Sequence, residues 1–249
     1  MECMIKGAIQ LGLTKICFTD HMDYDYPSKT KTEFIFDPEK YIEKIEFFKH
    51  KYKNQITILT GVELGLMPYL STKCTNFVNE HDFDFVIASS HLVEEKDPYY
   101  PDFWQNKSEE EGYIAYFQTI IDNVKAFKDF DVYGHIDYIV RYGPNKNQYY
   151  TYKKYADIID ELLKTIIHSG KGIEVNTAGY KYGLSVPHPQ PDVLIRYKEL
   201  GGDLITIGSD GHKPEHIAYD FNKARDLLLD LGFKYYATFE KRKPTFEKL

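Results

Sequence analysis

Short apolar segments of strand type alternate along this chain with segments of helical pattern, and that alternation most constrains what it can fold into. "TKICF", "ITILTGVE", "FDFVIASSH", "DVYGH", "GIEVN", "DLITIGSD" and "KYYATF" read as strands. Most are apolar on both faces, as strands covered by helices on each side must be. Between them, "DPEKYIEKIEFFKHKY" reads as a helix capped by Asp37, with Pro38 at its first position and Tyr41, Ile42, Ile45 and Phe48 on its inner face. "SEEEGYIAYFQTIIDNVKAF" opens on a capping box of Ser108 with Glu111. "YKKYADIIDELLKTIIHSG" is a helix closed by Gly170, and "PDVLIRYKELGG" and "PEHIAYDFNKARDLLLDLG" are two more. The chain opens on an amphipathic helix, with Met1, Met4, Ile5, Ala8 and Ile9 on one face and Gly12 at its end. No linker rich in Ser, Gly or Pro divides the 249 residues. The expectation is one α/β domain over 1–249 with a mainly parallel sheet.

The strands end alike. "ICFTDH" ends in Asp20 and His21, "LTGVE" in Glu63, "VIASSH" in His91, "VYGH" in His135, and "ITIGSDGH" in Asp210 and His212. In an α/β barrel the carboxyl ends of the strands converge on one face, where active sites are built; an open sheet would spread them along an edge. A barrel is therefore the better expectation. Histidines mixed with carboxylates suit zinc, manganese or iron, because imidazole is a borderline ligand and a carboxylate can bridge two ions. A single histidine at a strand end is more often a hydrogen-bonded structural residue, but five strand ends in agreement point to a site for several metals. Of the remaining histidines, His50 lies on a charged helix, His81 at a turn or helix end, His168 in a last helical turn and His216 in a first one. His188, in "SVPHPQP", follows a strand on a loop from which it can reach a substrate.

The charge balance narrows the partners. Asp and Glu number 38 against 31 Lys and Arg, a formal net charge of −7. That balance argues against nucleic-acid binding, which needs basic stripes to neutralise phosphates. A small anionic substrate remains compatible if cations or metals are focused in one pocket. Three cysteines, Cys3, Cys17 and Cys74, share no metal-type spacing and fit a reducing compartment. No stretch approaches the ~18 apolar residues of a membrane span, and the first residues lack the basic start and apolar core of a signal peptide. The cytoplasm is the expected location.

"FTDH", "GVELG", "SSH", "GHIDYI", "EVNTAG" and "IGSDGH", in this order, resemble the polymerase-and-histidinol-phosphatase (PHP) metallophosphoesterases. "EVNTAGYKYGL" and "ATFEKRKP" resemble the monofunctional histidinol-phosphatase branch more than the polymerase-associated members. The resemblance runs from Met1 to about Pro244. It implies a distorted seven-stranded α/β barrel and a centre of up to three divalent ions, Zn, Mn or Fe. Carried across by position, it makes Glu63 a bridging carboxylate that shares one ion with His91 and His135. His21 and His212 match ligands of a second ion, and Asp210 a ligand of the third. The implied nucleophile is hydroxide held between metals, formed because a metal lowers the pKa of its bound water. The phosphate would be gripped by cations, for which Arg141 after "GHIDYIV" and Lys181 in "AGYKYG" are candidates, with His188 beside them. Related phosphatases often carry Arg where Lys181 stands, and Lys acts there as a point charge. The loop "EEKDPYYPDFWQNKS", directly after His91, either shapes the mouth of the site or packs on the barrel rim.

The family's first strand carries a His-x-His pair, and no such pair occurs in this chain. The resemblance thus implies a missing first strand and loop of about 20 residues, from ordinary βα dimensions. The ion of Asp210 would then lose two histidines and the ion of His21 and His212 a third ligand, so fewer than three ions are expected here. The leading expectation is hydrolysis of L-histidinol phosphate to L-histidinol and phosphate. The alternatives are a PHP phosphoesterase with another small phosphomonoester and a non-catalytic metal-binding protein.

Overall fold

A computed structural model describes residues 1–27 and 34–249 of the chain. Its centre is a parallel sheet of β1 (Lys15–Phe18), β2 (His21–Met22), β3 (Thr57–Gly65), β4 (Phe85–Ser89), β5 (Val132–Tyr133), β6 (Gly172–Asn176) and β7 (Ile205–Gly208). The order is β1-β3-β4-β5-β6-β7, with β2 also paired to β3. Phe18 stands opposite Thr60 and His21 opposite Glu63. β1 and β2 therefore run in one register along the same side of β3, interrupted at Thr19 and Asp20. The sheet curls into an open barrel whose edges are β1 and β7. A cavity of about 830 Å³ lies between these edges, bounded by Ile16 and Ile207 on the two strands and reaching Glu63, Glu174 and Asp210 at one end.

Helices cover the outside: α1 (Glu2–Gln10), α2 (Pro38–Tyr52), α3 (Ser71–Glu80), α4 (Glu109–Ala126), α5 (Ala156–His168), the single turn α6 (Ala178–Lys181), α7 (Pro191–Glu199) and α8 (Phe221–Asp230). Their starts follow the sequence signals. Asp37 accepts from the Lys40 N–H above Pro38, and Ser108 and Glu111 close the expected capping box. α2 buries Tyr41, Ile45, Phe48 and Tyr52, and α4 buries Tyr116, Phe117, Ile120 and Val124. β3 is buried along eight of its nine residues, which a strand with neighbours on both sides and helices above requires. The N-terminal helix spans the open side: a Cβ on Gly7 would lie 3.2 Å from Ile217, and Glu2 accepts from Tyr52 of α2. No helix among the described residues is long and apolar enough to cross a membrane.

Three elements differ from expectation. "PEHIAYDFNKARDLLLDLG" is not one helix but a 3-10 turn, Pro214–His216, followed by α8. Ala218 and Asp220 hold left-handed backbone between them, with φ of 50° and 53°, which no helix continues through. Nothing in the sequence reading marks α3 as a helix beyond the placing of His81 at a turn or helix end, and His81 is its C-cap. The last expected strand, β8 (Tyr235–Glu240), does not join the parallel sheet; it pairs antiparallel with β9 (Lys243–Lys248) as a separate hairpin. The hairpin closes the amino-terminal end of the barrel. Phe239 stacks on Phe85 with ring centres 5.0 Å apart, and Arg242 Nε donates to Asp131 at 2.6 Å.

Candidate metal centre

Side chains alternate along a strand, so residues two apart share a face. At the carboxyl end of the barrel this rule places Glu63 inside it, beside His21 on the neighbouring β2. His91 follows β4 and His135 follows β5, each two residues past its strand. The four converge. His135 Nε2 and His91 Nε2 lie 3.0 and 3.2 Å from the same oxygen, Glu63 Oε1, and His21 Nδ1 is 3.8 Å from Oε2. Glu63, His91 and His135 are all buried, and their donor atoms lie within 4.8 Å of one another. His135 has φ of 27° and Asp210 of 48°; non-glycine residues hold such backbone at a cost, and they do so here at two expected ligands.

Asp210 and His212 sit at the far edge, past β7. His212 stacks on His21 with ring centres 5.8 Å apart, and its Nδ1 is 3.3 Å from Asp210 Oδ1. His212 is largely exposed. Neither residue joins the donor cluster around Glu63.

Burial and mutual pairing set the electrostatics of the cluster. Burial opposes the Glu63 carboxylate, yet the imidazoles of His21, His135 and His91 outweigh it and hold its pKa well below the usual range. Burial also opposes a charged His91, but Asp23 and Glu63 raise its pKa well above the ordinary value. Burial wins at His135, whose pKa is lowered despite Glu63. His21 Nδ1, His135 Nδ1 and Asp23 Oδ1 are buried without a hydrogen-bond partner among the described residues. Buried polar atoms left unpaired are costly, and a soft-to-borderline divalent ion would satisfy the cluster's nitrogen and oxygen donors.

Three acidic residues escaped the sequence reading. Asp23 Oδ2 accepts from His91 Nδ1 at 2.8 Å and fixes that ring with Nε2 toward Glu63. Its signal is present in "DHMD", where Asp23 follows His21 by two residues on the same face. Gly65 makes room for it: a Cβ there would lie 2.4 Å from Asp23 Oδ1. Glu174, inside the barrel on β6, is held by Asn176 at 3.0 Å, and burial together with Glu63 pushes its pKa up to about 8. Asp137 is paired in the interior with His188.

The phosphate candidates divide. The Arg141 guanidinium is packed among the rings of Tyr138, Tyr142 and Tyr182, 4.5, 4.8 and 4.2 Å from their centres. Its Nη2 donates to the Tyr142 hydroxyl at 2.6 Å, and Nη1 is 3.9 Å from Asp210 Oδ2. Nε and Nη1 have no hydrogen-bond partner among the described residues. Lys181 Nζ donates to the Asp210 carbonyl at 3.1 Å. His188 is buried, with its Nδ1 on Asp137 Oδ1, while Asp137 Oδ2 accepts from the Gln190 N–H at 2.9 Å. The loop after His91 contributes Asp97 and Tyr99 near Tyr26 and Tyr142, and Trp104 packs on its rim with Nε1 donating to the Pro98 carbonyl.

Residues 1–178 match the PHP domain family. A histidinol-phosphatase of Lactococcus lactis subsp. lactis is 32% identical over 240 residues, 96% of this chain and 88% of its own length. A Clostridium acetobutylicum relative named "Probable histidinol-phosphatase" is 33% identical, covering 96% of this chain and 91% of its own. The crystal structure of the L. lactis histidinol phosphate phosphatase, complexed with zinc, L-histidinol and phosphate, superposes with a TM-score of 0.90 at 31% identity, over 98% of this chain and 92% of that one. With the sheet, the strand-end donors and these relatives in agreement, the chain is a member of the PHP-domain family, among its histidinol-phosphatases.

Proposed function

We propose that the protein is a metal-dependent phosphomonoesterase that hydrolyses L-histidinol phosphate to L-histidinol and inorganic phosphate, a step of histidine biosynthesis in the cytoplasm. One observation carries it: the imidazoles of His91 and His135 meet at one oxygen of Glu63 in a buried cluster, in a chain similar over nearly its whole length to a phosphatase solved with zinc, L-histidinol and phosphate. Zinc is the cation this donor set suits best, with Glu63, His91 and His135 holding one ion and His21 and His212 reaching a second, while Asp210 belongs to a third position. Bound there, divalent ions would make water nucleophilic near neutral pH and offset charge on the phosphoryl oxygens.

The chain's own residues supply position. Asp23 pairs with His91 Nδ1 and keeps Nε2 turned toward Glu63. Arg141 offers Nε and Nη1, neither with a hydrogen-bond partner among the described residues, from a guanidinium clamped between tyrosines, so it reaches an anion with little loss of freedom. Lys181 adds a second positive charge beside Asp210. In this reading His188 braces the segment that leads to Arg141 through Asp137, and does not itself touch phosphate. The balance is simple: water adds to phosphorus, the ester P–O bond breaks, and the alkoxide oxygen of histidinol leaves with a proton.

The test is phosphate release from L-histidinol phosphate by the zinc-loaded protein, beside a panel of other phosphomonoesters. Preference for L-histidinol phosphate is expected. A folded, zinc-loaded protein that releases no phosphate from it, or that prefers another ester, refutes the assignment.

A further inference from the structure

The short strand β2 presents more than one donor to the barrel. His21 stands opposite Glu63 of β3, and Asp23, two residues on, shares its face because side chains alternate along a strand. The next residue of β3 on that face is Gly65, and its lack of a side chain admits Asp23: a Cβ there would lie 2.4 Å from Asp23 Oδ1. An imidazole and a carboxylate are thus brought together beside Glu63. His21, Asp23 and His91 each bring one donor atom within 4.8 Å of the others.

Asp23 uses only one of its oxygens in a hydrogen bond among the described residues. Oδ2 accepts from His91 Nδ1 at 2.8 Å. Oδ1 lies 3.9 Å from His21 Nδ1, and Glu63 Oε2 lies 3.8 Å from the same nitrogen. Asp23 Oδ1 and His21 Nδ1 are buried with no hydrogen-bond partner among the described residues. Asp23 is only 6% exposed, so bulk water does not serve Oδ1. The two separations are too long for a hydrogen bond, which needs about 2.7–3.2 Å, and too short for a bridging water, which holds its partners about 4.5 Å apart. A tetrahedral zinc ion with bonds of about 2.0–2.2 Å holds neighbouring donors about 3.3–3.6 Å apart, within a few tenths of an ångström of the spacing here. His91 is not the third donor, since its Nδ1 is taken by Asp23 Oδ2 and its Nε2 faces Glu63 Oε1. Glu63 Oε2 is, because Oε1 is the oxygen at which His91 and His135 meet.

We propose that Asp23 is a direct metal ligand: a second divalent ion is held by His21 Nδ1, Asp23 Oδ1 and Glu63 Oε2, with a fourth position left for His212 or water. Asp23 thereby fills the ligand position that the sequence leaves open for the ion of His21 and His212. It serves two ions at once, one through its own oxygen and one through the imidazole of His91. This inference rests on the metal-dependent reading above and gives the second ion its donors.

Crystals of the zinc-loaded parent, measured at the zinc absorption edge, locate the ions by anomalous scattering. Two peaks are expected, one at Glu63, His91 and His135 and one about 2.0–2.2 Å from His21 Nδ1, Asp23 Oδ1 and Glu63 Oε2. An ion on His21 with Asp23 Oδ1 more than about 3 Å away, or no ion on His21, overturns the inference. In solution, Asp23→Cys reads direct contact, because a thiolate bound to cobalt gives an intense near-ultraviolet charge-transfer band. Cobalt added to reduced Asp23→Cys is expected to raise that band as the second ion binds. The parent, with Cys3, Cys17 and Cys74, is the blank and should show none. A folded Asp23→Cys that binds both cobalt ions without the band overturns the inference, since a residue acting only through His91 forms no such bond. Neither readout uses turnover. Both ions in place without phosphate release from L-histidinol phosphate refute the phosphatase reading and leave the ligand assignment standing. A single ion at Glu63, His91 and His135 with phosphate release does the reverse.

Discussion

Single residues decide the state of the metal centre. Asp23 is the clearest, because its Oδ2 accepts from His91 Nδ1 and its Oδ1 lies 3.9 Å from His21 Nδ1. Asp23→Asn should weaken zinc binding roughly 10- to 100-fold, as loss of a carboxylate behind a ligating imidazole does; chelator competition measures it. An unchanged affinity would show that packing alone orients His91. Glu174 gives a test in pH. Its carboxyl has an ordinary value of 4.5 and is pushed up to about 8 in the fold by burial and by Glu63. The fold therefore favours the protonated form. Its contribution to stability is full below about 4.5, declines as pH rises, and is gone above about 8. Glu174→Gln is neutral throughout, so in EDTA its melting temperature should gain on the parent between about pH 4.5 and pH 8 and hold a constant lead above that. Parallel pH profiles for the two would contradict the buried, shifted carboxyl.

At the scale of elements, the hairpin of β8 and β9 turns on tertiary contacts. Glu240 faces Lys243, so the loop is Lys241 and Arg242 alone, and both are left-handed, with φ of 50° and 63°. Such turns favour Asn-Gly, and Lys-Arg is a poor choice for them. The barrel holds the loop in place. Lys241 N donates to Asp84 Oδ1 at 3.1 Å, Arg242 N donates to the Asp84 carbonyl at 2.9 Å, and the Arg242 guanidinium bonds Asp131. Asp84 and Asp131 also accept from the Thr60 and Val86 N–H groups, so the turn is tied into β3 and β4. Lys241→Asn keeps every one of these bonds and tolerates positive φ better, so it should raise stability by about 0.5 kcal/mol in denaturant unfolding. A loss of stability would mean that the Lys241 side chain has a role of its own.

For the whole molecule, the metal centre and the fold are one system. The donors proposed for one ion, Glu63, His91 and His135, come from β3 and the segments after β4 and β5, so an ion held there would tie three distant parts of the chain together and favour the folded form. Zinc at about 100 times its dissociation constant should stabilise the protein by about 2.7 kcal/mol and raise its melting temperature, and EDTA should reverse the shift. Calorimetry with and without zinc checks this, and a melting temperature indifferent to zinc would contradict binding at the Glu63 cluster. The alternation of strand and helix, the caps at Asp37 and Ser108, and the meeting of Glu63, His91 and His135 at the strand ends were legible in the sequence, because they depend on local periodicity and on side-chain type. The sequence did not reveal the split before α8, the separate hairpin, the pairing of Asp137 with His188, or the hydrogen bond from Tyr26 to Asp97. Those depend on which distant groups meet: left-handed backbone at Ala218 and Lys241 carries no strong local signal, and a carboxylate's role is set by the partner it faces. The sequence by itself determined that the barrel's carboxyl end would gather histidines and acids. Only the tertiary structure decided which of them share one oxygen, because register and sheet curvature, not composition, bring His91 and His135 within hydrogen-bonding distance of Glu63.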